Sequence, residues 1–231
     1  MNLFIKKILF IFFTFSVYSQ NSGMAIYSLQ LPEYTDKNGR NDNILTEAKK
    51  LAESVNFILE FNATQSHFYY EKMINNEHRD GYLNDLIVVL SGSENFYDGA
   101  KSLSINKQID GVLLKDSHAI KSWNITSESK IIDNYLCYKA EYIKKIKVNG
   151  VEKSKLVIAW FAPSLPYPYG PNGYNGLPGL ILELNEIANK SKKYFLKNIN
   201  LYDVQKEIVF PKGIVITEEE FINNLSKASG K

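Results

Sequence analysis

Residues 159–184 read AWFAPSLPYPYGPNGYNGLPGLILEL, and the rest of the chain is interpreted outward from them. The stretch holds five of the seven prolines (Pro163, Pro166, Pro168, Pro171, Pro178) and four of the thirteen glycines (Gly170, Gly173, Gly176, Gly179). Proline fixes φ and removes an N–H donor, so 163–171 forms neither a helix interior nor a central strand. Ala162, Leu165, Tyr167, Gly170 and Leu177 each precede a proline and are pushed toward extended conformations as well. The expectation is a stiff, mostly extended loop between two apolar, strand-like runs. Its last turn, 176–179, has glycines able to supply positive φ. Tyr167, Tyr169 and Tyr174 each bring an apolar body and a polar tip. Two readings stay open. The loop crosses the sheet with its tyrosines packed on it, or it is a rigid aromatic platform for recognition. On the second reading Trp160, Tyr167, Tyr169, Tyr174, Leu177 and Pro178 are the candidate ligand- or partner-binding residues.

The hexapeptide Gly176-Leu177-Pro178-Gly179-Leu180-Ile181, preceded by Ala159-Trp160-Phe161 and Gly170-Pro171, resembles the GLPGLI family of exported bacterial proteins. A block upstream, Trp123 and Ile125 followed by Ile132-Asp133-Asn134-Tyr135-Leu136-Cys137-Tyr138-Lys139-Ala140, resembles it too, and the likeness runs from about residue 24 to 201. The resemblance implies a β-rich envelope protein. It carries over no biochemical role.

The first residues have the form of a secretory leader. Lys6 and Lys7 precede eleven largely apolar residues, 8–18, and Val17 and Ser19 take the small-residue positions before a cleavage site. Eleven residues are too few to span a bilayer, which needs roughly twenty. The expectation is a signal peptide at 1–19 and one β-rich domain at 20–231. No transmembrane segment is expected in the mature chain, and the location is the periplasm or, alternatively, the extracellular space. Without Lys6 and Lys7 the chain has 25 basic against 25 acidic residues, which argues against a nucleic-acid partner. A chain of this size buries roughly 70% of its unfolded surface and needs no disulfide to fold. The single cysteine, Cys137, is expected buried.

Along the chain, period-two alternation marks strands at 24–31, 57–61 and 66–73, and short runs follow at 86–90, 95–101, 103–108 and 112–115. Ala48, Leu51, Ala52 and Val55 are spaced for one helix after an N-cap at Thr46. Two long strands, 136–147 and 153–161, meet at Asn149-Gly150, a strong hairpin signal. Further strands are expected at 180–186, 194–202 and 206–209. Thr217 and the acidic residues Glu218, Glu219 and Glu220 open a terminal helix at about 217–228. The fold class that follows is mainly β with minor α (α+β), a curved antiparallel sheet or half-barrel packed on one or two helices.

No catalytic residue, metal-ligand set or cofactor site emerges. His67, His78 and His118 share no metal-ligand spacing, Ser91-Gly92-Ser93 is not a nucleophile elbow, and no glycine loop leads into a Ser/Thr-Lys helix start. The sequence therefore favours a non-enzymatic exported protein that binds or assembles with an envelope protein partner or an apolar ligand through 160–179. The alternatives are a periplasmic carrier of a lipid or other hydrophobic molecule and, behind it, a hydrolase or metal-dependent enzyme.

Overall fold

Alternating apolar and polar side chains give most of this chain a face to bury and a face to leave wet. The computed structural model describes residues 21–33, 43–71, 78–108, 110–116, 120–148, 151–187 and 191–229. The leader at 1–19, His118 and the Asn149-Gly150 turn lie outside the described residues. Within them the strands are β1 (Ser22–Gln30), β2 (Phe57–Asn62), β3 (Gln65–Tyr70), β4 (Glu94–Asp98), β5 (Leu103–Lys107) and β6 (Leu113–Lys115). They continue with β7 (Asn124–Ile132), β8 (Tyr135–Val148), β9 (Val151–Ala162), β10 (Leu180–Ile187), β11 (Lys192–Tyr202) and β12 (Val215–Thr217). The helices are α1 (Asn43–Ser54), α2 (His78–Ser91) and α3 (Glu218–Ser229). The strands form one sheet in the order β12-β6-β5-β4-β3-β2-β1-β11-β10-β9-β8-β7.

This corrects the expectation of a curved antiparallel sheet or half-barrel on one or two helices. Among the described residues the sheet is mixed, twelve-stranded and not closed into a barrel, with three short helices. The mixing arises where β12 lies parallel to β6, Val215 opposite Leu113 through Thr217 opposite Lys115. A parallel neighbour needs a long crossover, here the whole course from β7 to β11, and no local periodicity announces such a pairing.

A second correction concerns 86–90, expected as a strand and found inside α2. A five-residue apolar run does not distinguish strand from helix by its period. Burial at Ile87 and Ser91, one helical turn apart, with Val89 69% exposed between them, gives the helical answer. No helix among the described residues is long and apolar enough to cross a membrane.

The two faces of the sheet are covered differently. Ala25, Tyr27 and Leu29 of β1, Phe57, Leu59 and Phe61 of β2, and Val157, Ala159 and Phe161 of β9 point into the main core. Ala52 and Val55 reach the same core, as do residues of the 163–179 loop. On the other face Phe96, Ile105 and Leu113 form a smaller cluster with Leu103 and Phe210. The segment after β11 crosses this face, where Asn62 Nδ2 donates to the Lys206 carbonyl (2.8 Å) and Lys206 pairs with Glu60 (2.6 Å). Those bonds run across the sheet, so 206–209, expected as a strand, takes no ladder position.

Candidate functional site

Prolines at 166 and 168 alternate with residues that keep their backbone N–H, and the N–H groups of Leu165, Tyr167 and Tyr169 each reach a carbonyl close behind. Leu165 N donates to Ala162 O (3.1 Å), Tyr167 N to Leu165 O (2.7 Å) and Tyr169 N to Tyr167 O (2.8 Å). A short 3-10 turn follows at Pro171–Gly173, with positive φ at Asn172 and Gly173. The loop then closes on itself: Gly176 N donates to Pro168 O (3.0 Å), Leu180 N to Leu165 O (2.9 Å) and Ile181 N to Tyr169 O (2.9 Å).

The hexapeptide is the hinge of this closure. Gly176 takes φ +90°, Leu177 is buried, Pro178 is exposed, and Leu180 and Ile181 enter β10 fully buried. Gly179 packs against backbone, so a side chain there would collide with the Ala162 carbonyl. Tyr27 fastens the inner side, its hydroxyl donating to Ile181 O (2.7 Å).

The structure separates the residues singled out from the sequence. Tyr167, Tyr169, Tyr174 and Leu177 are 6%, 1%, 2% and 1% exposed, with the tyrosine rings inside the core. Tyr167 packs on Phe61 with centroids 4.6 Å apart, Tyr169 on Tyr97 at 6.0 Å, and Tyr174 on Trp123 and Tyr142 at 6.1 and 6.4 Å. Burial pushes all three phenols above their ordinary range. Trp160 lies between the buried Ala159 and Phe161 and therefore faces the opposite side of the sheet. There Lys130 stands 4.3 Å from its ring and pairs with Glu183 (2.8 Å). Pro178 is exposed, as are Pro163, Ser164, Pro166 and Gly176. Tyrosines line the inside of the loop, Pro163, Pro166 and Pro178 form its outer ridge, and Pro171 is buried.

Beneath the loop lies a charged row that sequence reading missed. Lys144 of β8 is opposite Lys155 of β9. Glu186 of β10 is opposite Val157, two residues along β9 from Lys155, and Lys192 of β11 is opposite Glu186. All four share the covered face with buried Val157. Glu186 accepts from Asn172 Nδ2 (2.8 Å) and pairs with Lys192 (3.4 Å). Lys192 also donates to the Ser91 carbonyl at the end of α2 (2.8 Å), which accepts the Tyr194 hydroxyl as well. Burial works to raise the Glu186 carboxyl, but Lys192, Lys144, the Asn172 amide and Lys155 together hold it below its ordinary range. The signal was available: counting outward from Asn149-Gly150 sets Lys144 against Lys155.

On the other face, His67 stacks between Tyr69 (4.5 Å) and Phe96 (4.1 Å), and its Nε2 lies 2.8 Å from Glu94 Oε1. Lys107 holds the second Glu94 oxygen (3.1 Å) beside a shallow groove lined by Tyr69, Tyr70, Glu71, Glu94 and Lys107. Cys137 is buried on β8, six strands from His67 in the sheet, and burial pushes its thiol up to about 11. Among the described residues no three His, Cys, Asp or Glu side chains are grouped to hold a metal ion.

Residues 145–183 match the model of a protein family of unknown function, Porph_ging. No curated protein matches the chain. Among solved structures, PNGF-II in its P21 crystal form superposes with TM-score 0.54 at 14% identity, over 90% of this chain and 33% of that one. Its C2 form gives TM-score 0.52 at the same identity and coverage. An outer membrane lipoprotein-sorting protein domain from Vibrio parahaemolyticus aligns over 90% of this chain at 8% identity with TM-score 0.33. The chain thus spans about a third of the length of the first solved structures it matches, and the likeness to them is one of fold.

Proposed function

We propose that this is an exported envelope protein that binds a protein partner without catalysis, through the outer ridge of the 163–179 loop. One observation carries the reading. The tyrosines anchor the loop from inside, and Pro163, Pro166 and Pro178 are presented outward on a backbone already fixed by its own hydrogen bonds. A surface ordered before contact loses little conformational entropy on binding. The expected leader and the family match at 145–183, which includes the loop, support an envelope role. A carrier of a hydrophobic molecule would need apolar space between the sheet and its cover, and under the loop the rings of Tyr167, Tyr169 and Tyr174 fill it. For the hydrolase or metal-dependent alternative, the reactive side chains His67 and Cys137 stand on separate strands of the sheet.

The test is site-specific photocrosslinking in cells, with the crosslinker placed at Pro166, at Pro178 or at Val209, an exposed position on the opposite side. The expected result is one adduct of defined mass from both loop positions and none from Val209. No adduct from the loop, or the same pattern from all three positions, rejects the ridge as a binding surface.

A further inference from the structure

Glu186 holds two partners on one oxygen. Its Oε1 accepts from the Asn172 side-chain amide Nδ2 at 2.8 Å and lies 3.4 Å from Lys192 Nζ. Three separate elements, the 3-10 turn of the loop, β10 and β11, thus bring a carboxamide, a carboxylate and an amine together. A second pair of contacts places the amine beside the carboxamide independently. Lys192 Nζ donates to the Ser91 carbonyl at 2.8 Å. The Asn172 side-chain oxygen lies against the very next residue, in the space that a side chain at Gly92 would need. The side chains of Lys192 and Glu186 are 17% and 8% exposed, and the Tyr194 ring lies 5.8 Å from Lys192 Nζ. A lysine becomes a nucleophile when burial and neighbouring cations make it give up its proton. Here burial, with Lys144 and Lys155 nearby, holds the Lys192 ammonium below its ordinary range although Glu186 opposes the shift. The excess of lysines in the charged row thereby acquires a chemical use.

We propose that Lys192 and Asn172 join in an intramolecular isopeptide bond, with Glu186 carrying the protons, so that the 163–179 loop is tied covalently to β11. Glu186 takes a proton from the Lys192 ammonium, and the lone pair on Nζ attacks Cγ of Asn172. The Nζ–Cγ bond forms, the Cγ–Nδ2 bond breaks, and its electron pair leaves with Nδ2. Lys192 keeps one hydrogen on the new amide. The two protons it sheds pass by way of Glu186 to Nδ2, which departs as ammonium and leaves Glu186 a carboxylate again. One oxygen in contact with both the attacking and the leaving nitrogen suits this general acid–base role. Holding the amine and the amide side by side makes the step unimolecular. In freshly folded protein Lys192 and Glu186 are the ion pair described above, and the bond replaces that pair as it forms.

The experiment is intact-mass spectrometry of the purified protein after overnight incubation at pH 7, followed by a tryptic map. The wild type is expected to be lighter than its sequence mass by one ammonia. Trypsin should release a branched peptide in which 156–190 is joined to 191–193 through Asn172 and Lys192. Lys192→Arg and Glu186→Gln, run in parallel with circular dichroism to check folding, are expected to keep their full mass. A wild type of full mass overturns the proposal, whatever the variants do. Ammonia loss that persists in Lys192→Arg also overturns it, because the loss then comes from cyclisation of Asn172 onto the Gly173 nitrogen. Neither result bears on crosslinking at the proline ridge, which tests a separate surface.

Discussion

Gly179→Ala is expected to lower the melting temperature by about 10 °C. An added Cβ would lie 2.7 Å from the Ala162 carbonyl carbon and 3.0 Å from Pro163 Cα, and it would overlap the carbonyl oxygen. These are backbone atoms, so relief requires β9 and β10 to part where Leu180 faces Ala162. Overpacking of this kind costs about 1–3 kcal/mol. The shift also strains the bonds from Leu180 N to Leu165 O and from Ile181 N to Tyr169 O, at about 1 kcal/mol each. For a chain of this size 1 kcal/mol corresponds to about 2–4 °C. Gly176→Ala is the comparison. A Cβ there comes no closer than 3.4 Å to any atom, so only the φ of +90° opposes it, at about 1–2 kcal/mol. Melting curves of the two variants should therefore separate clearly. A Gly179→Ala protein melting within 2 °C (about 1 kcal/mol) of the parent would mean that the hexapeptide does not close the loop as described.

Glu186→Leu is expected to be comparably damaging, at about 3–5 kcal/mol, because it leaves Lys192 buried beside two further lysines with no counter-charge. Glu186→Gln keeps the shape and isolates the charge. The Glu186 carboxyl is held below its ordinary value of 4.5 in the folded protein. Its contribution is thus fully present above that value and is lost as the pH falls through the folded-state value. Urea unfolding of parent and Glu186→Gln at pH 7 and pH 3.5 should show a gap in stability that narrows at the lower pH. A gap of equal size at both would show that the carboxylate is not held by its neighbours.

Much of the fold was legible because its causes are local. Closely spaced prolines dictated a stiff extended loop, the period of two across 57–61 marked the strand now seen as β2, and the Asn149-Gly150 hairpin signal marked 153–161, now seen within β9. The direction in which the loop tyrosines point was not legible, since an irregular segment has no period to separate inside from outside. Trp160 is the opposite case: its place between Ala159 and Phe161 in a strand already put it on the other face, away from Tyr167, Tyr169 and Tyr174. The parallel placing of β12 beside β6 depends on a contact across about one hundred residues, and the helix at 86–90 depends on what packs around it. The charged row assembles from four strands, so no spacing in the chain shows it whole.

The most direct measurement is amide hydrogen exchange across residues 163–181 of the purified protein, read residue by residue. The amides of Tyr169, Gly176, Leu180 and Ile181, each donating to a carbonyl, should be protected to the same degree as those in the centre of β10. Exchange at these four positions at the rate of an open chain would contradict a preformed loop with its tyrosines inside and Pro163, Pro166 and Pro178 outside.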